Sequence, residues 1–186
     1  MQHEFVFAGF GGQGVMFAGQ LLAYAAMDEG LQVTWIPSYG PEMRGGTANC
    51  SVVISESLIG SPAVSHPRHA IVFNNPSFDK YEPRVGVGGL LVVNSSLVTL
   101  DSKRDDITTL RIPATDLADT IGDLKLANMV LMGALLTASP VLSLDAIKRA
   151  LELHSGKREK LPNNLKALDA GAQAVYDLHQ EGCLSW

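Results

Sequence analysis

Phe5-Val6-Phe7-Ala8-Gly9-Phe10-Gly11-Gly12-Gln13-Gly14-Val15 decides how this chain is read. A short apolar run ends in a glycine-rich turn, and Val15, Ala18 and Leu22 then open a helical pattern of apolar positions. Gly9, Gly11 and Gly14 fit Gly-x-Gly-x-x-Gly in the strand–turn–helix setting that gives the motif its meaning. Glycine lets the backbone turn tightly and come close to a ligand, and the amides of a helix start favour an anion. The functional reading is a turn that cradles a phosphate; the alternative is a tight β–α turn whose glycines serve packing only. Four glycines within residues 9–14 exceed what a tight turn needs, and Gln13 adds an amide donor and acceptor at the helix start.

Working outward, residues 4–8 read as a buried strand and 13–29 as a helix with Val15, Ala18, Leu21, Leu22 and Ala25 inward, stopped at Gly30. Residues 31–36 read as a second strand, which completes a βαβ unit with parallel strands. A dinucleotide site wants an acidic residue at the end of that second strand for the ribose hydroxyls. The chain has Thr34-Trp35-Ile36-Pro37-Ser38 there, with no Asp, Glu or Arg, so NAD and NADP binding are disfavoured.

The stretch Pro37-Ser38-Tyr39-Gly40-Pro41-Glu42-Met43-Arg44-Gly45-Gly46-Thr47 follows. Its prolines and glycines predict an irregular loop at the carboxyl end of the second strand, the edge where open α/β sheets bind ligands. Tyr39, Glu42 and Arg44 are its chemically capable side chains; the bland reading is a surface loop with an internal Glu42–Arg44 pair. Residues 48–54 alternate as a strand, with Ala48, Cys50, Val52 and Ile54 on one side, and 55–60 read as a short hairpin arm. Further strands are expected at 69–73, 89–94 and 107–112, with a short helix from Pro76 or Ser77 to Tyr81 between the first two. The remainder is helical: 114–121, an apolar helix at 126–137 holding Asn128, a helix capped by Ser143, and a long amphipathic helix from Pro162 to about Glu181. Asn128 is either a buried specificity element or a contact to a loop carbonyl. These elements predict an α/β fold, a three-layer α/β/α sandwich with a mostly parallel sheet and a Rossmann-like β–α start. One domain is expected over residues 1–182, with 183–186 as a tail.

Composition removes several function classes. A formal net charge of −5 leaves no basic footprint for nucleic acid. Cys50 and Cys183 cannot by themselves supply the four thiolates of an iron–sulfur cluster or a structural zinc site. His3, His66, His69, His154 and His179 are scattered without metal spacing. The longest apolar stretch in the second half, residues 129–138, is too short for a bilayer, and no basic segment followed by an apolar one opens the chain. A cytoplasmic protein with no membrane or nucleic-acid partner is expected. Gly122-Asp123 is followed by Leu124, not Gly, and Asn163-Asn164 is too distant to complete a thiamine diphosphate motif. The P-loop and the Gly-x-Ser-x-Gly elbow are absent. No self-contained catalytic constellation emerges, which points to a subunit.

Three runs together carry a resemblance: Gly9-Phe10-Gly11-Gly12-Gln13-Gly14-Val15, Ser38-Tyr39-Gly40-Pro41-Glu42-Met43-Arg44-Gly45-Gly46-Thr47-Ala48, and Asn128-Met129-Val130-Leu131-Met132-Gly133-Ala134. In order and spacing the chain resembles the γ subunit of 2-oxoacid:ferredoxin (acceptor) oxidoreductases, over nearly its whole length. The resemblance implies an α/β/α domain in a complex that oxidatively decarboxylates a 2-oxoacid with coenzyme A (CoA). The products are an acyl-CoA, carbon dioxide and reduced ferredoxin or a similar acceptor, and 2-oxoglutarate or a branched-chain 2-oxoacid is the favoured substrate. It implies that thiamine diphosphate, Mg2+ and iron–sulfur clusters belong to companion α and β subunits, with a ferredoxin-like δ subunit as a further candidate. It also implies that this chain, inactive alone, helps form the CoA site. Gly9, Gly11, Gly12, Gln13, Gly14, Ser38, Tyr39, Glu42, Arg44, Gly45, Gly46 and Thr47 are the expected binding residues, with none catalytic. Arg44 leads them because its planar fork binds phosphate or carboxylate bidentately. A homodimer is a candidate state of the isolated chain. The rival readings are a stand-alone nucleotide- or flavin-binding module and a purely structural assembly subunit.

Overall fold

The computed structural model describes residues 1–40, 46–156 and 158–181. The glycine-rich turn joins β1 (Gln2–Phe10) to α1 (Val15–Asp28), and β2 (Gln32–Tyr39) and β3 (Thr47–Ser55) follow. Next come β4 (His69–Val72), α2 (Asn75–Tyr81), β5 (Leu90–Asn94) and β6 (Thr108–Ile112). The last part is helical: α3 (Ala114–Ile121), α4 (Ala127–Ala138), α5 (Leu144–His154) and α6 (Leu161–Gln180). Ser143 caps α5, its side chain accepting the Ala146 N–H.

The strands form one sheet in the order β2-β3-β1-β4-β5-β6. β1, β4, β5 and β6 pair in parallel, and β3 runs antiparallel to both of its neighbours. The sheet is therefore mostly parallel, but β2 does not pair with β1 as the simple βαβ reading expects. β3 lies between them, with Gln2 opposite Ser55 and Phe10 opposite Thr47. Burial on both faces decides which strand takes the inner place. β3 buries Cys50, Val52 and Ile54 on one face and Val53 on the other. β2 leaves Ile36 and Tyr39 exposed and carries Pro37, which has no N–H to donate and is tolerated at a sheet edge. The expected hairpin arm at 55–60 is also corrected: beyond Ser55 this segment forms bends, not a strand.

The two faces of the sheet are covered unequally. On one, Phe5, Phe7, Val52, Ile71, Val92 and Leu110 pack in a single core with residues of α1, α3, α4, α5 and α6. On the other, Val6, Ala8, Val72, Leu91 and Val93 are covered by Phe78 and Tyr81 of α2, with Val85, Val98 and Ile107 from irregular segments. Helix α4 is apolar all round because it is wrapped on every side, and ten of its residues, Ala127 to Leu136, are buried. Its contact with α6 is backbone against backbone. A Cβ on Gly133 would fall on the Leu168 carbonyl oxygen, and one on Gly171 on that of Val130.

His69 ties the start of β4 to the end of α4. Its ring stacks on Phe5 at 4.4 Å, Nδ1 lies 3.3 Å from the Glu4 carbonyl, and Nε2 lies 2.8 Å from Ser139 Oγ. The carbonyl can only accept, so Nδ1 carries the proton and Nε2 of the neutral ring accepts from the hydroxyl. Burial pushes the His69 pKa down to about 4. Two outcomes follow. Between pH 6.5 and about 4 the unfolded chain takes up a proton that the folded imidazole refuses, so stability falls as pH is lowered through that window. The full loss is about 3 kcal/mol, and His69→Gln flattens this part of the pH profile in urea denaturation. Gly171→Ala costs roughly 1–3 kcal/mol or more through overpacking, read from the same denaturation midpoint.

Candidate functional site

The carboxyl ends of β1, β2, β4, β5 and β6 share one edge of the sheet, and β3 begins there. From β1 the chain passes through α1 toward β2, whereas from β4 it passes through α2 toward β5, on the opposite side of the strand order. β1 and β4 therefore flank a switch point, where open α/β sheets have their ligand crevice. The glycine turn stands at that crevice.

Gly12 and Gly14 have φ of +94° and +76°, a left-handed backbone that side chains resist. A Cβ on Gly9 would meet Phe73 Cβ and Val15 Cγ2 at 2.9 Å. Gln13, expected to offer its amide to a ligand, instead braces the turn with its oxygen. Its Oε1 accepts from the Phe10 N–H at 2.7 Å and from Asn74 Nδ2 at 3.2 Å. Asn74 Oδ1 in turn accepts the Ser77 N–H at 3.0 Å and so caps α2. Asn74 was thus a site-building residue that sequence reasoning passed over, although an Asn two residues before a Pro is a helix-start signal.

The turn is also stitched to the loop after β2. The Gly11 N–H donates to the Gly46 carbonyl at 3.0 Å, and the Gly40 N–H to that of Thr47 at 2.7 Å. Ser38, Tyr39 and Thr47 are exposed there, Tyr39 to 69%. The structure thus brings together Gly9, Gly11, Gly12, Gln13, Gly14, Gly46 and Thr47, with Ser38 and Tyr39 beside them across β3. Glu42, Arg44 and Gly45 lie outside the described residues.

Asn128 resolves to the second of its two readings. Its Nδ2 donates to the Gly14 carbonyl at 3.2 Å, and a Cβ on Gly14 would strike this amide. Beyond Gly12 and Gly14 a cleft of about 260 Å3 opens toward the starts of α4 and α6. Lys125, Lys160 and Asn164 line it with Asn128, Phe17 and Leu126. Nothing in the sequence places residues 160–164 beside residue 14; only the packing of α6 on α4 does. Gly122-Asp123 serves a different end from diphosphate binding: Gly122, at φ +99°, closes α3, and Asp123 Oδ1 accepts the Lys125 N–H at 3.0 Å. Among the described residues, no group of three His, Cys, Asp or Glu is placed to hold a metal ion. No described helix is long and apolar enough to cross a membrane.

Residues 4–174 match the family described as pyruvate ferredoxin/flavodoxin oxidoreductase. The ketoisovalerate oxidoreductase subunit VorA of Methanothermobacter marburgensis is 40% identical over 168 residues, 89% of this chain but only 35% of VorA. The chain thus spans about a third of the length of that relative. The 2-oxoglutarate synthase subunit KorC of Methanocaldococcus jannaschii is 34% identical, and the match covers 96% of each chain. Among solved structures, the γ subunit of a keto/oxoacid ferredoxin oxidoreductase from Geobacter sulfurreducens superposes with a TM-score of 0.81 at 29% identity. That superposition covers 94% of this chain and 99% of the other.

The contact between Gly14 and Asn128 makes an expected coupling. Gly14→Ala costs about 1 kcal/mol or more for the left-handed backbone, and additionally displaces Asn128. In an Asn128→Ala background the collision is gone, so the double variant loses less than the sum of the singles, by about 0.5 kcal/mol or more in urea denaturation. Additive losses would show that the turn and α4 are independent.

Proposed function

This chain belongs to the pyruvate ferredoxin/flavodoxin oxidoreductase family, and from that premise we propose that it is the γ subunit of a multi-subunit 2-oxoacid:ferredoxin oxidoreductase. The complex converts a 2-oxoacid, CoA and an oxidised acceptor into an acyl-CoA, carbon dioxide and the reduced acceptor. The observation that carries this reading is the end-to-end correspondence with KorC, supported by the γ-subunit fold. The names of the relatives favour 2-oxoglutarate or a branched-chain 2-oxoacid as substrate. The chain works as one γ-type domain, residues 1–182 with a short tail, in the cytoplasm.

Thiamine diphosphate with Mg2+ and the iron–sulfur clusters, on companion α and β chains and a ferredoxin-like δ chain, supply the decarboxylation and electron-transfer chemistry. In this chain Asp123 accepts the Lys125 N–H and caps the turn that leads into α4. The part assigned here to γ is positional. The glycine turn, braced by Gln13 and Asn74, lies at the carboxyl edge of the sheet with Ser38, Tyr39, Gly46 and Thr47 beside it. That surface receives CoA and a partner subunit together, with Tyr39 as an exposed anchor and Arg44 as the charge for a phosphate or carboxylate.

The test is to recover the tagged chain from its native cell extract and assay the eluate for CoA-dependent reduction of a viologen dye by several 2-oxoacids. Companion subunits and activity are expected; a lone chain carrying bound nucleotide or flavin would replace this reading with a stand-alone module. In the reconstituted complex, Arg44→Ala is expected to raise the KM for CoA about tenfold while subunit composition on gel filtration is unchanged. Dissociation of the complex would instead make the loop an interface element.

A further inference from the structure

Asn74 stands just beyond β4, only 5% exposed, and the two polar atoms of its side chain are committed in different directions. Its Oδ1 accepts the Ser77 N–H and caps α2, so Nδ2 is the atom left to face Gln13. Gln13 is fixed in the same way. The Phe10 N–H can only donate, so the Gln13 oxygen turns to it, and the same oxygen takes the Asn74 hydrogen. A Cβ on Gly9 would stand 2.6 Å from that oxygen, so the bare backbone at Gly9 leaves it room. Backbone N–H groups at both ends thus settle which way each amide points. Flipping either amide would set donor against donor.

Two further contacts make Asn74 a fixed point. The Phe73 N–H donates to the Ala8 carbonyl at 2.9 Å, which carries the pairing of β4 with β1 up to the turn. Asn75 exchanges two hydrogen bonds with Thr99, its Nδ2 donating to Oγ1 at 3.2 Å and its Oδ1 accepting the N–H at 2.9 Å. Asn74 is therefore held by the sheet, whereas Gln13 sits between two glycines with left-handed backbones, Gly12 and Gly14. Glycine has so much conformational freedom that such a turn holds one shape only with outside support. The turn carries a pair of open donors. Among the described residues the N–H groups of Gly12 and Gly14 meet no acceptor, whereas those of Phe10, Gly11 and Gln13 do.

We propose that Asn74 is a positioning residue for CoA. It touches no part of the ligand; through Gln13 it sets the direction in which the Gly12 and Gly14 N–H groups meet a phosphate. The inference rests on the reading above that the turn receives CoA, and adds the residue on which the aim of the turn depends. Without the Asn74 hydrogen, the Gln13 oxygen keeps only the Phe10 N–H, a contact within the turn itself, and loses its tie to α2 and β4. Binding then has to order the turn as well, which weakens CoA. The bond-breaking step, on the companion chains, is untouched.

The experiment is steady-state kinetics of the assembled complex carrying Asn74→Ser, which separates the two duties of this side chain. Serine keeps the cap on the Ser77 N–H but is one atom too short to reach Gln13. The KM for CoA is expected to rise roughly fivefold or more, with kcat, the KM for the 2-oxoacid and the melting temperature unchanged. Gln13→Ala is expected to raise the KM for CoA at least as much. Adding Asn74→Ser to it is expected to raise that KM no further, because Asn74 acts through Gln13. A wild-type KM in Asn74→Ser overturns the inference, as do additive effects of the two substitutions. A lower melting temperature or loss of companion subunits in Asn74→Ser also overturns it, leaving a structural role alone. The CoA reading fails separately. A wild-type complex whose dye reduction does not need CoA refutes both, whereas CoA-dependent turnover with an unaltered Asn74→Ser variant refutes the positioning role only.

Discussion

The turn after β1 admits no side chain at Gly14, because the backbone there is left-handed and the Asn128 amide already occupies the space where a Cβ would stand. That one close approach binds the amino-terminal strand and helix to the most deeply buried helix in the molecule. Around it the other contacts fall into place. Gln13 reaches back to the Phe10 N–H and across to Asn74, and Asn74 holds the first turn of α2. Gly11 reaches the other way, to the Gly46 carbonyl. The turn therefore joins both sides of the switch point at the sheet edge, and its shape is inherited from the core beneath it.

The uneven covering of the sheet follows from composition as much as topology. The residues that pack on α1, α4, α5 and α6 include Phe5, Phe7, Ile71 and Leu110, all essentially inaccessible. The opposite face rests on one short helix and on the irregular segments that flank β5, through Val85, Val98 and Ile107. Irregular chain buries backbone polar groups only when they are partnered. Arg104 does part of this, its Nη1 donating to the carbonyls of Glu82 and Val85, and Arg111 does the same for Val98 and Leu100. The thin side is thus held by guanidinium groups where the thick side is held by apolar area.

Much of this was legible in the sequence. The 3.6-residue spacing of α1 and α6, the Ser143 cap and the short apolar strands before Asn74 and Asn94 placed those elements to within a residue or two, whereas β2 runs on through Pro37 to Tyr39, three residues into the stretch expected as loop. What the sequence does not encode locally is strand order. Nothing in residues 47–55 taken alone distinguishes a strand beside β2 from one that also pairs with β1; the answer lies in burial of Val53 on the second face, a property of the assembled sheet. The site shows the same division. Its glycines were readable because backbone conformation leaves a residue-type signature, and so was Asn128 as the lone polar group in an apolar helix. Asn164 and Lys160 carried no such mark, since they reach the cleft only through the docking of α6.

That docking brings the backbones of α4 and α6 into direct contact at Gly133 and Gly171, with no side-chain layer between them. A side-chain layer yields gradually, because rotamers can shift while the helices stay apart. Two bare backbones have no such intermediate: they are seated together or separated. The pair therefore acts as one mechanical piece, from the buried apolar helix at the centre to the outer face of α6. Whatever settles at the beginning of α6 is held by a hinge-free strut whose other end is the core itself.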